Sequence, residues 1–424
     1  MKILKVKAGA LQFAIMISAI IAVLLSVFIV FIHSHSMFEK KSDVLIETIQ
    51  QTEDMIIANL DNFLVQKDTI IGMPAEEKNQ TSKLHRSYWG VFGKVYSQVA
   101  TNGKTVEKIA LVSGAQSGLY RTALYLKETN SPLIVVGNAK IQGKTYLPKR
   151  GIKAGTIAGN SYYGTQLVHG TVLKSSETLP KLSSQLINSI TTLQKLPLSP
   201  DNEQYIDVQP GKTYTNSFTQ PVKTVFSNDA LDISNVKLVG HILVRSNTKI
   251  TVAASSMLTD VVLIAPEIEI ESNVKGTFQA IASEQITVGK DCELRYPSAL
   301  VMNVNDDHDI TLHQEFKKHI FIDQNTSVKG IVCYLQNETE HRFEPQIMLK
   351  EHTQLTGFLY CEQQLELLGD VYGSVYTGRF ITKQFGSIYQ NHMYNGHILC
   401  DQLEEEYVGF PLGNVAQKVM KWLY

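Results

Sequence analysis

The pattern that most constrains the fold is an internal repeat between residues 236 and 400. Short apolar strands follow a recurring turn residue, as in GHILV at Gly240, GIVCY at Gly330 and GFLYC at Gly357. The same offset recurs after a further set of turn residues: Asp260, Gly276, Ser298, Gly373, Gly386 and Gly396. A second strand of apolar-x-apolar form follows several of them at a similar short distance, as Ile250-Thr-Val252 follows Gly240 and Ile286-Thr-Val288 follows Gly276.

A single short unit of this kind cannot bury its own apolar face, but stacked units bury a continuous core and pair their strands in parallel. In Glu267-Ile-Glu-Ile-Glu271, alternation places isoleucines inside and carboxylates in solvent. We therefore predict a parallel β-helix over 236–400, with Ile268, Ile286 and Leu365 in one core. An antiparallel sandwich would account for the strand spacing but not for the recurring offset from the turn residue.

The second constraint is an uncharged run that extends from Ala8 to Ile32. A helix needs roughly 20 apolar residues to cross a bilayer, so residues 8–32 are predicted to span the membrane. A cleaved signal peptide is the alternative, although its apolar region is usually shorter. The leading lysines Lys2, Lys5 and Lys7 favour a cytoplasmic tail at 1–7 and an extracytoplasmic C-terminal region, against the opposing pair Lys40 and Lys41.

An amphipathic juxtamembrane helix is predicted at 33–66, directly after the span. Its apolar stripe recurs at intervals of three and four residues: Leu45, Ile49, Thr52, Ile56, Leu60 and Phe63. An apolar half followed by an amphipathic half resembles the N-terminal helix of type IV pilins and pseudopilins, over about residues 1–64. That family has a glutamate at the fifth mature position, where a cut after Gly9 would place Ala14. A plain anchor followed by a juxtamembrane helix remains the alternative.

The repeat itself resembles the short-rung β-helix of bactofilin-like, polymer-forming proteins. The resemblance covers about 236–400 and implies a structural, self-assembling role. Bactofilins generally lack an N-terminal span such as 8–32.

The remaining segments are assigned from turn and periodicity signals. Residues 86–200 are predicted as a mixed segment of hairpins or early β-helix turns, with one hairpin turning at Asn102-Gly103, a second at 129–132, and a helix over 182–193. Residues 201–235 are predicted as a connection, because the stretch from Leu196 to Pro221 contains four prolines. Residues 401–424 are predicted as a C-terminal cap, with Val415, Val419, Trp422 and Leu423 on one face of a helix.

Candidate chemistry is confined to polar insertions within the repeat. Carboxylates and imidazoles that could hold a divalent cation cluster in one of them: Asp306, Asp307, His308, Asp309 and His313, with His319 and Asp323 beyond. Such loops are more often simply solvated. A second polar insertion carries Glu338, Glu340 and His341. No nucleophile elbow, phosphate-binding loop or zinc motif occurs, so no catalytic residue and no cofactor is predicted. The cysteines are expected to be buried free thiols.

Composition excludes several classes of protein. Hydrophobic residues make up 44% and charged residues 19%, which excludes a disordered chain. A net charge of −1 argues against a nucleic-acid binder. We expect a membrane-anchored structural or interaction protein of a bacterial-type cell envelope, in a setting such as a pilus-like or secretion assembly. The alternative is an anchored β-helix enzyme acting on polysaccharide, so enzymatic activity is left open. The expected partners are the bilayer through 8–32, and further copies or envelope proteins.

Overall fold

One long helix carries the uncharged run and the residues that follow it. The computed structural model describes residues 9–60, 80–195, 204–304, 318–336, 343–413 and 415–423. Helix α1 runs without a break over Gly9–Ala58, 50 residues, which corresponds to about 75 Å at 1.5 Å per residue. It is long and apolar enough to cross a membrane, and its apolar stretch is not buried in the protein.

The rest of the chain is mainly β. The strands before the second helix are β1 Gln80–Trp89, β2 Phe92–Thr101, β3 Lys104–Gly114, β4 Thr122–Leu126, β5 Leu133–Val136, β6 Lys140–Gln142, β7 Lys144–Leu147, β8 Ile152–Ala154, β9 Thr156–Ile157, β10 Asn160–Ser161 and β11 Val172–Lys174. Helix α2 is Ser184–Lys195 and confirms the helix predicted at 182–193. Short 3₁₀ turns lie at Gly118–Tyr120 and Cys400–Gln402.

In the described residues after α2, the regular elements are strands, apart from the second 3₁₀ turn. They are β12 Thr213–Asn216, β13 Lys223–Ser227, β14 Leu231–Ile233, β15 Lys237–Gly240, β16 Ile242–Ser246, β17 Lys249–Val252, β18 Met257–Ile270, β19 Lys275–Val288, β20 Glu293–Asn303, β21 His319–Ile322, β22 Ser327–Leu335, β23 Ile347–Leu349, β24 Gln354–Leu367, β25 Asp370–Gln384, β26 Ser387–Gln390, β27 His392–Tyr394, β28 His397–Leu399 and β29 Gln417–Leu423. Residues 201–235, predicted as a connection, therefore hold β12, β13 and β14.

The first sheet is antiparallel, in the order β1-β2-β3-β29. Its β2–β3 hairpin turns at Asn102 and Gly103, both with positive φ, which confirms the predicted turn. The predicted C-terminal capping helix is wrong, because β29 pairs antiparallel with β3 instead. The free edge of β3 satisfies the backbone groups of this segment, and such tertiary pairing overrides a helical spacing of Val419 and Trp422.

The second sheet is parallel and closed, and its strands form three ladders. The third ladder pairs the apolar-x-apolar strands of the repeat in register. Ile250 pairs with Ile268, and Ile268 pairs with Ile286. These three isoleucines are equally spaced along the chain. The column continues through Ile320, Ile347, Leu365 and Phe380. Ile268, Ile286 and Leu365 share one core and are at most 1% exposed, as predicted.

The other two ladders fill the same core. The first ladder contributes an inward column: Leu238, Leu258, Leu294, Val328, Leu355, Val371, Ile398 and Ile141. The second ladder contributes another: Val225, Val244, Leu263, Ala280, Leu300, Val332, Leu359, Val375 and Leu124. Stacked aliphatic columns of this kind bury apolar area continuously along the ladders.

Glycines mark the corner between the first and second ladders. Gly330, Gly357 and Gly373 pair in register and have φ between 137° and 152°. A Cβ at Gly373 would lie 1.9 Å from the carbonyl oxygen of Gly357, so only glycine fits. The predicted equivalence of the turn residues is only partly correct. Gly276 pairs within the first ladder, and Gly386 lies between the antiparallel strands β25 and β26.

Residues 122–174 extend the parallel sheet beyond its C-terminal strands. Strand β4 pairs with β25, β7 with β4, and β11 with β7, all in parallel. Strand β5 lies between β27 and β8. The predicted hairpin at 129–132 is therefore wrong, because both of its strands find parallel partners elsewhere. A chain segment that precedes the repeat thus stacks on the repeat's last strands.

The second ladder is apolar on its outer face as well. Residues such as Ile264, Val301 and Phe358 form an outer core with α2, with one face of the antiparallel sheet and with the segment 403–412. The four cysteines are free and buried, as predicted. Cys361 faces the inner core and Cys333 the outer core, whereas Cys400 lies in the 3₁₀ turn and not in a ladder.

Candidate functional site

Most residues of the predicted polar clusters are outside the part of the chain that the structure describes. Asp306, Asp307, His308, Asp309 and His313 lie outside the described residues, as do Glu338, Glu340 and His341. Within the described chain, His319 lies beside Gln285 on the third ladder, and the Asp323 carboxylate accepts a hydrogen bond from the backbone N–H of Gln324. No three His, Cys, Asp or Glu side chains converge as metal ligands in the part of the chain that the structure describes.

Two carboxylates on the third ladder, Glu269 and Glu366, pair with lysines. Glu269 accepts from Lys249 at 2.5 Å on the solvent face. Glu366 is 1% exposed and accepts from Lys350 Nζ at 3.1 Å and from the backbone N–H of Lys383 at 2.9 Å. These three contacts join neighbouring segments of the third ladder. A paired acid and base facing one sugar ring, as glycoside hydrolysis requires, is not formed by these two described carboxylates.

The most extensive set of contacts joins α1, the antiparallel sheet and the parallel sheet. Near its C-terminal end, α1 buries Thr48, Thr52, Met55 and Ile56. Met55 and Ile56 pack in one core with Val95, Val99, Ala110 and Val112. The stripe predicted for this helix is thus correct at Thr52 and Ile56, whereas Leu45 is exposed. Leu60 is buried but lies beyond the end of the helix at Ala58, and Phe63 lies outside the described residues. Helix α1 and the antiparallel sheet therefore share an apolar core.

Strand β3 shows how the sheet serves two cores at once. Ile109 and Leu111 face the outer core of the parallel sheet, whereas Ala110 and Val112 face α1. Alternation along a strand sends neighbouring side chains to opposite faces. The antiparallel sheet is consequently a layer between helix α1 and the parallel sheet.

Directional hydrogen bonds fix this layer on the parallel sheet. Trp89 Nε1 donates to the backbone oxygen of Asp260 at 2.9 Å, and Lys421 Nζ pairs with the Asp260 carboxylate at 2.6 Å. The buried Gln279 amide accepts from the backbone N–H of Val91 and donates to the backbone oxygen of Trp89. A buried side-chain amide that is satisfied on both sides specifies one docking position.

A histidine and a lysine meet in the same interface. His241 is 4% exposed, and its ring lies 4.6 Å from that of Trp89 and 4.9 Å from that of Phe218. Its Nδ1 is 2.8 Å from the backbone oxygen of Gln220, so Nδ1 donates and Nε2 accepts from Lys94 Nζ at 3.1 Å. Burial, followed by the Lys94 charge, lowers the pKa of His241 to about 4. Burial also lowers the pKa of Lys94.

Hydrogen bonds also hold the segment 403–412 against the parallel sheet. The buried Arg121 guanidinium donates to the backbone oxygens of Leu403 and Glu404 at 2.9 and 2.7 Å. Tyr407 donates to the backbone oxygen of Gly330, at the glycine corner. Its pKa is raised well above the usual value by burial, so the hydroxyl remains a hydrogen-bond donor.

A cavity of about 460 Å³ lies at the first strands of the parallel sheet. It is lined by Tyr205, Ile206, Asp207, Thr213, Tyr214, Thr215 and Lys223. Asp207 and Lys223 are exposed, and the Tyr214 hydroxyl donates to the backbone oxygen of Asp207 at 3.0 Å. This hydrogen bond stabilises the local loop.

Sequence reasoning missed the interface residues because they are far apart in the chain. Lys94 and His241 are 147 residues apart, and Lys421 and Asp260 are 161 apart. Neither pair has a motif or spacing that would have found it. The comparisons add no further assignment, since no family model, no curated protein and no solved structure matches this chain.

Proposed function

We propose that this chain is a single-pass membrane protein of a bacterial-type cell envelope, with its C-terminal region outside the cytoplasm as a structural or interaction scaffold. The observation that carries the proposal is the unbroken helix Gly9–Ala58, which contains the uncharged run at one end and enters the core of the antiparallel sheet at the other. A shared core between anchor and head transmits position and force better than a flexible linker does.

We further propose that the closed parallel sheet is a β-helix, in which each turn of chain adds one strand to every ladder. The in-register pairing of Ile250, Ile268 and Ile286 at equal intervals along the chain supports this, as does the glycine corner. A β-helix is a rigid rod with long flat faces, suited to presenting surfaces to partners. Among the described carboxylates, no observation favours the alternative of a polysaccharide-cleaving enzyme.

We include a pilus-like or secretion assembly among the proposed settings of this scaffold because of the arrangement of helix α1. An apolar helix half that continues into an amphipathic half and then into a globular head is the layout that the resemblance to pilins implies. Self-assembly through further copies is the corresponding proposal from the resemblance to bactofilins.

Protease accessibility tests the proposed topology. Protease added to intact spheroplasts should digest the region after Phe38, because the lysines at the N-terminus favour retention of that end in the cytoplasm. A periplasmic and a cytoplasmic protein serve as controls in the same sample. Protection of the C-terminal region while the periplasmic control is digested would refute the orientation.

A further inference from the structure

The outer face of the first ladder is a long, flat and polar surface. Successive strands present one outward side chain each, in the order Thr213, Lys237, Met257, Lys275, Glu293, Ser327, Gln354, Asp370, His397 and Lys140. Two residues further along their strands lie Thr215, Val239, Thr259, Arg295, Lys329, Thr356 and Tyr372. At 4.7–4.9 Å between strands, the surface is roughly 40 Å long. We call this surface the basic face.

The basic face carries an excess of positive charge. Its cations are Lys237, Lys275, Arg295, Lys329 and Lys140, and its two carboxylates are already engaged. Glu293 pairs with Arg295 at 2.8 Å and with Lys275 at 3.5 Å, while Asp370 pairs with His397 at 2.7 Å. Within the described ranges, Lys237, Lys329 and Lys140 form no ion pair. Their ammonium groups are available to an external anion.

The bias belongs to this face and not to the parallel sheet as a whole. The solvent-accessible charged side chains at outward positions of the third ladder include the acids Asp232, Glu267 and Glu269, against Lys249 and Arg379, and the buried Glu366 is covered by Lys350. The whole chain has a net charge of −1. Separation of charge between two faces gives the molecule one surface that attracts anions.

The spacing of the cations indicates the kind of anion. Lys237 and Lys275 are two strands apart, as are Lys275 and Lys329, which corresponds to about 9.5 Å along the ladder. A nucleic-acid strand carries a phosphate every 3.4 Å or so and is usually bound with stacked aromatic side chains. The basic face has sparser charge, and Tyr372 is the aromatic residue among its outward side chains named above. Threonine hydroxyls and the Gln354 amide lie between the cations instead.

We propose that the basic face binds an anionic polysaccharide that lies along the ladder. Sparse carboxylates or sulfates on the polymer meet the lysines, and its hydroxyls meet Thr259, Thr356 and Gln354. The choice of a polysaccharide rests on the proposed envelope location. The excess of cations rests on the described face alone.

The test measures binding of the purified full chain in detergent micelles to polygalacturonate, with neutral dextran as the uncharged polymer. The variant Lys237→Gln/Lys275→Gln/Lys329→Gln removes three cations from the face. The matched control Lys83→Gln/Lys104→Gln/Lys153→Gln removes three exposed cations elsewhere. We expect salt-sensitive binding of the wild type, a loss of at least tenfold in the face variant and less than twofold in the control. Circular dichroism verifies that both variants are folded.

Several results would overturn the proposal. They are an absence of wild-type binding to polygalacturonate, equal binding to dextran, equal weakening in both variants, or tighter binding to duplex DNA or to phosphatidylglycerol vesicles. The spheroplast experiment reports orientation alone. A failure of binding and a failure of the proposed topology are therefore distinguishable.

Discussion

Neighbouring residues on one strand have opposite environments in the parallel sheet, and Ile286 and Thr287 illustrate this. Ile286 is fully buried between Ile268 and Ile320, whereas Thr287 is partly exposed and accepts a hydrogen bond from Gln285. We expect Ile286→Asp to cost several kcal/mol, because it buries a carboxyl group among aliphatics. Thr287→Asp should cost about half a kcal/mol. Thermal unfolding compares the two, and an equal loss would mean that the strand register is wrong.

Two glycines with positive φ separate the effect of space from that of conformation. Gly373→Ala would place a Cβ 1.9 Å from a carbonyl oxygen, whereas Gly386→Ala has no atom within 4 Å. Both changes strain the backbone, by about 1–2 kcal/mol. We therefore expect Gly386→Ala to cost about that much and Gly373→Ala several kcal/mol more in denaturant unfolding. Similar losses at both positions would contradict the close approach of the strands at this corner.

The docking of α1 on the antiparallel sheet can be tested with adjacent residues of the helix. Ile56 is fully buried in the helix–sheet core, and Ile57 is 54% exposed. Ile56→Ala should cost about 2–5 kcal/mol through the cavity it leaves, and Ile57→Ala less than about 0.5 kcal/mol. Hydrogen exchange of β2 and β3 should accelerate in the first variant only. Unchanged exchange with Ile56→Ala would show that helix and sheet are not packed together.

The interface between the two sheets should weaken in acid through His241. Its pKa is lowered to about 4 in the folded protein from a usual value of 6.5. The unfolded chain therefore takes up a proton first, so this contribution is complete above about pH 6.5 and is lost as the pH falls toward 4. The loss is at most about 3 kcal/mol. Unfolding between pH 4 and 8 should show a shallower dependence in His241→Gln, and a dependence equal to that of the wild type would contradict the burial of a neutral His241.

Local patterns predicted the elements that are stabilised locally or by repetition. The long apolar helix, the turn at Asn102-Gly103, the helix at 182–193 and the core column through Ile286 all follow from charge, turn chemistry or period. Long-range pairing was not predictable in this way. β29 forms a strand because β3, from a much earlier part of the chain, offers it an edge, and β4 leaves its apparent hairpin for β25. The contact of Lys94 with His241 depends on the docking of two sheets.

At the scale of the whole molecule, the protein is a series of packed layers. Helix α1 packs on one face of the antiparallel sheet, and the other face of that sheet packs on the second ladder of the parallel sheet. Each contact has its own apolar core, and hydrogen bonds from Trp89 and Gln279 fix the second. An anchored head with this construction should keep its faces in a fixed relation to the helix.

The most direct test of the account is labelling of single introduced cysteines by a membrane-impermeant maleimide in intact spheroplasts. The four native cysteines are buried and provide a low background. The exposed position Glu406→Cys should be labelled from outside, and Lys5→Cys only after lysis. Labelling of Lys5→Cys from outside with protection of Glu406→Cys, or labelling of both only after lysis, would contradict an anchored extracytoplasmic scaffold.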